Sequence, residues 1–140
     1  MNDVILNKRA TVERCIARIH EEYDDEATLR SSFTKQDSVM LNLQRACEAC
    51  IDVANTVIKY GRLGVPQSSR DSFALLEKAG HLSSAISLKM QKMVGLRNIA
   101  VHDYQKLNLD IVISVLNNHL GDFIDFLDES DKALENLKHA

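Results

Sequence analysis

Val39-Met40-Leu41-Asn42-Leu43-Gln44-Arg45-Ala46-Cys47-Glu48-Ala49-Cys50-Ile51-Asp52-Val53-Ala54-Asn55-Thr56-Val57-Ile58 is the stretch that decides the fold. Val39, Met40, Leu43, Ala46, Cys47, Cys50, Ile51, Ala54, Val57 and Ile58 recur at i, i+3, i+4 and i+7, one face of an α-helix. Upstream, Val4, Ile5, Val12, Cys15, Ile16 and Ile19 keep the same period, with Tyr23 extending it. No period-2 segment competes with either stripe. Gly61-Arg62-Leu63-Gly64-Val65-Pro66-Gln67-Ser68-Ser69 is a turn cluster that ends the long helix. Ser69 is expected to cap a short helix over Arg70–Ala79, with Gly80 at its C′ position. Ser83 or Ser84 opens the next helix, which carries Ile86, Met90, Met93, Val94, Arg97 and Val101. Asn108 caps the last one, along Val112, Val115, Leu116, Leu120, Phe123, Ile124 and Leu127. The expected architecture is all-α: an antiparallel bundle of four longer helices plus a short one, in a single domain over residues 1–140.

Composition agrees with that class. The 140 residues are 45% hydrophobic and 26% charged, enough for a real core without metal or disulfide staples. One proline and five glycines argue against a disordered chain and against a turn-rich β fold. The longest unbroken apolar run, Phe73-Ala74-Leu75-Leu76, is far too short for a bilayer. Met1–Ala10 mixes Asp3, Lys8 and Arg9 into its pattern, so no signal-peptide core is read there and the cytoplasm is the expected compartment. A net charge of -3 excludes a strongly basic nucleic-acid coat. A local basic segment remains: residues 81–109 set Lys89, Lys92, Arg97 and Lys106 against Asp103 alone. Residues 121–135, with Asp122, Asp125, Asp128, Glu129, Asp131 and Glu135 against Lys132, read as a solvated acidic face.

Three cysteines, Cys15, Cys47 and Cys50, do not make a disulfide framework. Cys47-Glu48-Ala49-Cys50 lacks the second ligand pair of a zinc site and lies in a helical pattern, so these read as core cysteines and no metal is expected. His20, His81, His119 and His139 have no acidic or cysteine neighbours at ligand spacing and read as surface or partly buried histidines.

The segment that departs from a purely structural design is Arg97-Asn98-Ile99-Ala100-Val101-His102-Asp103-Tyr104. Arginine offers a permanently charged planar fork matched to phosphate oxygens. Histidine is suited to both giving and taking a proton near neutrality. RNA carries its own nucleophile, the 2′-OH. Its cleavage needs a base for that hydroxyl, an acid for the leaving 5′ oxygen and cationic stabilisation of the phosphorane-like transition state. Arg97 and His102 could supply these without metal. On an ideal helix, however, the two point about 140° apart. Either the helix loosens near His102 or the two face a common cleft from its rim. One histidine is also short of an acid plus a base, and a two-fold dimer would bring two sets into one groove. Gly95, two residues before Arg97, would permit a close approach to the helix backbone. The plain alternative is a helix-end histidine and an exposed arginine with no catalytic task.

Arg97-x4-His102, with Tyr104 two residues on, resembles the R-x4-6-H motif of the HEPN superfamily of ribonucleases, and in its fuller form the HepT-type toxins within it. The resemblance covers most of the chain. It implies a compact helical bundle that forms a homodimer or higher oligomer with two motifs facing one cleft. It implies metal-independent endoribonuclease activity toxic to the host cell, with RNA as substrate. It also implies a partner antitoxin of the MntA kind, a minimal nucleotidyltransferase that uses ATP. Arg97 and His102 become the catalytic pair, Asn98 a supporting residue and Tyr104 the acceptor of AMP. A second reading, from a different class, is a non-catalytic HEPN module that helps a partner nucleotidyltransferase bind its substrate. A third is a plain helical scaffold.

Overall fold

The computed structural model describes residues 2–139. It contains α1 (Asp3–Glu22), α2 (Glu26–Ser31), α3 (Phe33–Gly61), α4 (Ser69–Lys78), α5 (Ser84–His102), a 3₁₀ turn (Tyr104–Lys106), α6 (Leu109–Asn118) and α7 (Gly121–Lys138). Short polar side chains start most of them. Ser32 Oγ takes the Lys35 N–H at 3.2 Å, Ser83 Oγ that of Ile86 at 3.3 Å, and Asn108 Oδ1 that of Asp110 at 2.9 Å. Such a cap stabilises a helix by about 1 kcal/mol. Gly80, at φ +80°, closes α4 in the left-handed region that a β-carbon disfavours.

The long helix α3 is the axis of the bundle, with α1, α7, α4 and α5 packed around it. Its expected stripe is the core: Val39, Cys47, Cys50, Ala54 and Val57 are buried. Phe73 of α4 meets Phe126 of α7 edge-to-face, with ring centroids 5.1 Å apart. Both rings are fully buried. Phe73→Ala should therefore cost about 3–5 kcal/mol. At ~2–4 °C per kcal/mol for a chain near this size, the melting temperature should fall by roughly 6–20 °C, measured by circular dichroism.

All-α bundle architecture is what the periodicity implies, and α1, α3, α5 and α7 are the four longer helices. The short elements differ from the expectation of one. A one-turn helix, α2, stands on Asp25, which accepts the Thr28 N–H and hydroxyl and leaves only Leu29 buried. One apolar residue makes no periodicity. The expected last helix is two: His119, at φ -128°, leaves the helical region between α6 and α7. Leu116, Leu120, Phe123 and Leu127 remain buried across the break, so the stripe keeps its phase. Ser68, not Ser69, caps α4. Val101, read as part of the apolar stripe, is 44% exposed.

Nor is the acidic run simply a solvated face. Glu129 accepts from the Ser83 N–H at 2.7 Å and its hydroxyl at 3.0 Å, tying α7 to the start of α5. Asp128 pairs with Arg9, and buried Asp122 accepts from or pairs with His119 Nδ1 at 3.0 Å. His119 thus has the acidic neighbour that its spacing did not suggest. No helix among the described residues is long and apolar enough to cross a membrane.

Candidate functional site

The helix α5 stays regular to its end, because the Asp103 N–H still reaches the Ile99 carbonyl at 2.9 Å. Asp103 then turns the chain into the 3₁₀ turn, closed by the Leu107 N–H on the Tyr104 carbonyl at 3.0 Å. Of the two options for the motif, the helix does not loosen. Arg97 and His102 diverge within one chain.

Arg97 points inward. Its side chain is only 15% exposed, in a crevice formed by α3, α4 and α5. Nη2 donates to Ser69 Oγ at 2.9 Å, and Nη1 lies 3.4 Å from Glu48 Oε1. The buried Nε–H has no acceptor. An orphaned buried donor costs about 1–3 kcal/mol, and natural proteins keep few of them. Cys47 lies beside the same group. Burial pushes its thiol up to about 12, with the Arg97 charge pulling the other way. All three cysteines are buried and free.

A second guanidinium approaches α5 at Gly95, about 200° around the helix from Arg97. A β-carbon at Gly95 would collide with Nη2 of Arg70, so the arginine of α4 lies over the bare backbone of α5. The close approach expected at Gly95 is real, and a side chain makes it.

His102 is the last residue of α5 and is exposed. Among the described residues its ring makes no hydrogen bond or ion pair. Asn98 is partly buried one residue after Arg97. The sequence between α5 and the Asn108 cap, Asp103–Leu107, reads as a loop that exposes Tyr104. Tyr104 opens the 3₁₀ turn instead, and its hydroxyl donates to Asp37 Oδ1 of α3 at 2.7 Å. The residue is 39% exposed. Partial burial, then the Asp37 bond and charge, push its phenol up to about 12.

Among the described residues, no group of three His, Cys, Asp or Glu side chains could hold a metal ion. Met90, Met93 and Val94, which the pattern of α5 offers to the core or to a dimer contact, are buried in the chain's own core. The apolar residues that α5 offers outward are Leu88, Ile99 and Val101.

An all-helical bundle with Arg97 and His102 at the end of one helix and Tyr104 in the turn that follows defines a HEPN-type domain. The profile of the family described as ribonuclease HepT-like matches residues 12–130. The chain is 58% identical over 128 residues to a protein of Shewanella oneidensis named mRNA nuclease HepT, covering 91% of this chain and 96% of that one. It superposes on the tri-AMPylated Shewanella oneidensis HEPN toxin, solved in complex with its MNT antitoxin, with a TM-score of 0.90 and 56% identity. That match covers 94% of this chain and 99% of the other. A cytosolic protein of unknown function from Bacillus subtilis, 16% identical over 94% of this chain and 89% of its own, shares the fold with a TM-score of 0.79. The chain belongs to the ribonuclease HepT-like family.

Sequence reasoning missed the partners. Ser69 was read as a helix cap, and Glu48 and Asp37 had no assigned part. Their contacts span long sequence separations, 28 residues for Arg97–Ser69 and 67 for Tyr104–Asp37, which no local pattern encodes. Gly95 is a local signal, and what it marks is the approach of Arg70 to α5.

Proposed function

We propose that this chain is the toxin of a toxin–antitoxin pair. It is a cytoplasmic, single-domain endoribonuclease that cuts RNA with Arg97 and His102. A nucleotidyltransferase antitoxin of the MntA kind neutralises it by moving AMP from ATP onto Tyr104. The observation that carries this reading is the 58% identity to mRNA nuclease HepT over 91% of the chain.

The chemistry follows from the side chains. An RNA phosphate entering the crevice competes with Glu48 for Arg97 Nη1. The Glu48 contact, at 3.4 Å, is longer than the about 2.7–2.9 Å of a strong charge-assisted bond, so a phosphate oxygen can displace it. His102, open to solvent, moves protons: one copy takes the 2′-OH proton, and a second gives one to the 5′ oxygen. The 2′ oxygen bonds to phosphorus as the bond from phosphorus to the 5′ oxygen breaks, which gives a 2′,3′-cyclic phosphate and a 5′-hydroxyl. Asn98, next to Arg97 in the chain, takes the supporting role that the family motif implies.

The divergence of Arg97 and His102 within one chain supports a cleft built from two chains. A non-catalytic binding module has no need of both residues, and that reading is not favoured. The purified chain should cut total RNA with EDTA present and leave cyclic phosphate ends. Sedimentation at assay concentration should show a dimer or larger. Cleavage that is lost in EDTA and restored by a divalent ion would refute metal independence, and a fully active monomer would refute the two-chain cleft.

A further inference from the structure

A tyrosine that is to receive a nucleotide must lose its proton as its oxygen bonds to phosphorus. An ordinary phenol titrates near ~10, and burial with a neighbouring carboxylate moves Tyr104 further up. Near neutrality Tyr104 therefore remains a phenol until something takes the proton.

Asp37 is the group in position to do so. Its Oδ1 is 2.7 Å from the Tyr104 oxygen, inside the about 2.6–3.2 Å that a general base requires. It lies in the second turn of α3 and is exposed, so the pair is open to an approaching enzyme. The lysines two residues from Asp37 and from Tyr104 in the chain pair elsewhere: Lys35 with Glu22 at 3.9 Å, Lys106 with Asp103 at 3.2 Å. The bond to the phenol is the contact the structure gives this carboxylate.

We infer that Asp37 is the proton acceptor for nucleotidyl transfer onto Tyr104, so that the chain being modified brings its own base to the partner's reaction. This rests on the reading of Tyr104 as the acceptor. In the step, the Tyr104 oxygen bonds to the α-phosphorus of ATP. The bond from that phosphorus to the β-bridging oxygen breaks, and pyrophosphate leaves. The phenolic proton passes to Asp37 Oδ1 and then to water. Once the oxygen is esterified it has no proton to donate, and the new phosphodiester charge stands beside the Asp37 carboxylate. The tie between the 3₁₀ turn and α3 is lost with the transfer.

The test uses the full chain with its nucleotidyltransferase partner, ATP and magnesium, followed by intact mass. Asp37→Asn can still accept the Tyr104 hydrogen bond but is a far weaker base. It should retain helicity and the KM for the chain as substrate, and lose about 10²-fold in kcat, the usual scale for one general base. Asp37→Ala should be slowed as much, and added formate should restore part of its rate. A role only in holding the turn would leave Asp37→Asn unaffected and formate without effect, and either result overturns the inference. Tyr104→Phe separates the two readings. If that variant takes no AMP while Asp37→Asn is modified at the wild-type rate, the acceptor stands and the role of Asp37 falls. If Tyr104→Phe is modified as fast as wild type, the acceptor reading fails and Asp37 with it.

Discussion

His102→Ala should lower RNA cleavage by about 10²–10⁴-fold and remove toxicity on expression, with no change in helical content. His102 is exposed at the last position of α5, and its ring is tied to nothing else among the described residues. Its removal should therefore change stability by no more than about 0.5 kcal/mol, the scale of an ordinary surface substitution. Loss of activity without loss of fold is the signature of a proton-transfer group. Arg97→Ala should be equally inactive with a larger structural effect. The variant gives up the bond to Ser69 and leaves Glu48, half-exposed, facing an empty crevice. Arg97→Lys discriminates between charge and fork. It keeps the positive charge but cannot span two phosphate oxygens, so most of the activity should still be lost. The assay is cleavage of total RNA by each variant, with circular dichroism as the folding control. A folded His102→Ala protein that cuts RNA at the wild-type rate would overturn the mechanism.

The sequence is informative wherever structure is local. The α3 stripe follows from a 3.6-residue period, and Ser83, Asn108 and Gly80 mark helix ends because a cap acts within one turn. The same locality explains the failures. α2 has a single buried apolar residue and so no period to detect. The break at His119 is silent because Leu116 and Leu120 stay on the buried side across it. The candidate site divides along the same line. Arg97, Asn98, His102 and Tyr104 are near neighbours in the chain, so their chemistry could be read as one strip. What Arg97 and Tyr104 touch could not, because Glu48, Ser69 and Asp37 arrive from α3 and α4. The 140° divergence of Arg97 and His102 was calculable from helix geometry alone. That it persists to the end of α5 required the structure, since only the Asp103 N–H bond to Ile99 shows that the helix does not unwind first.

Tyr104→Phe should leave a folded ribonuclease that the antitoxin can no longer silence. The lost hydroxyl makes one bond, to Asp37, at an exposed position, so the stability change should be about 0.5–1.5 kcal/mol at most. The ring remains, and the 3₁₀ turn is still closed by the Leu107 N–H on the Tyr104 carbonyl, a backbone bond that the substitution does not touch. Cleavage should persist, because the phenol is assigned no part in it. The covalent event should vanish, because a phenyl ring has no oxygen to join to phosphorus. In wild type the AMP group would stand two residues beyond His102, where its bulk and its negative charge oppose an incoming RNA backbone. Incubation with the nucleotidyltransferase partner and ATP should therefore add AMP to wild type and stop cleavage, while Tyr104→Phe gains no mass and continues to cut. In cells, the partner should rescue growth from the wild-type chain and fail to rescue it from the variant. An adduct that appears on Tyr23 or Tyr60 in the variant, with cleavage stopped, would move the regulatory site elsewhere and leave the ribonuclease intact. Tyr23 already donates its hydroxyl to Asn117 at 2.8 Å, whereas Tyr60, 52% exposed on α3, is the freer competitor. Peptide mapping of the adduct decides between them.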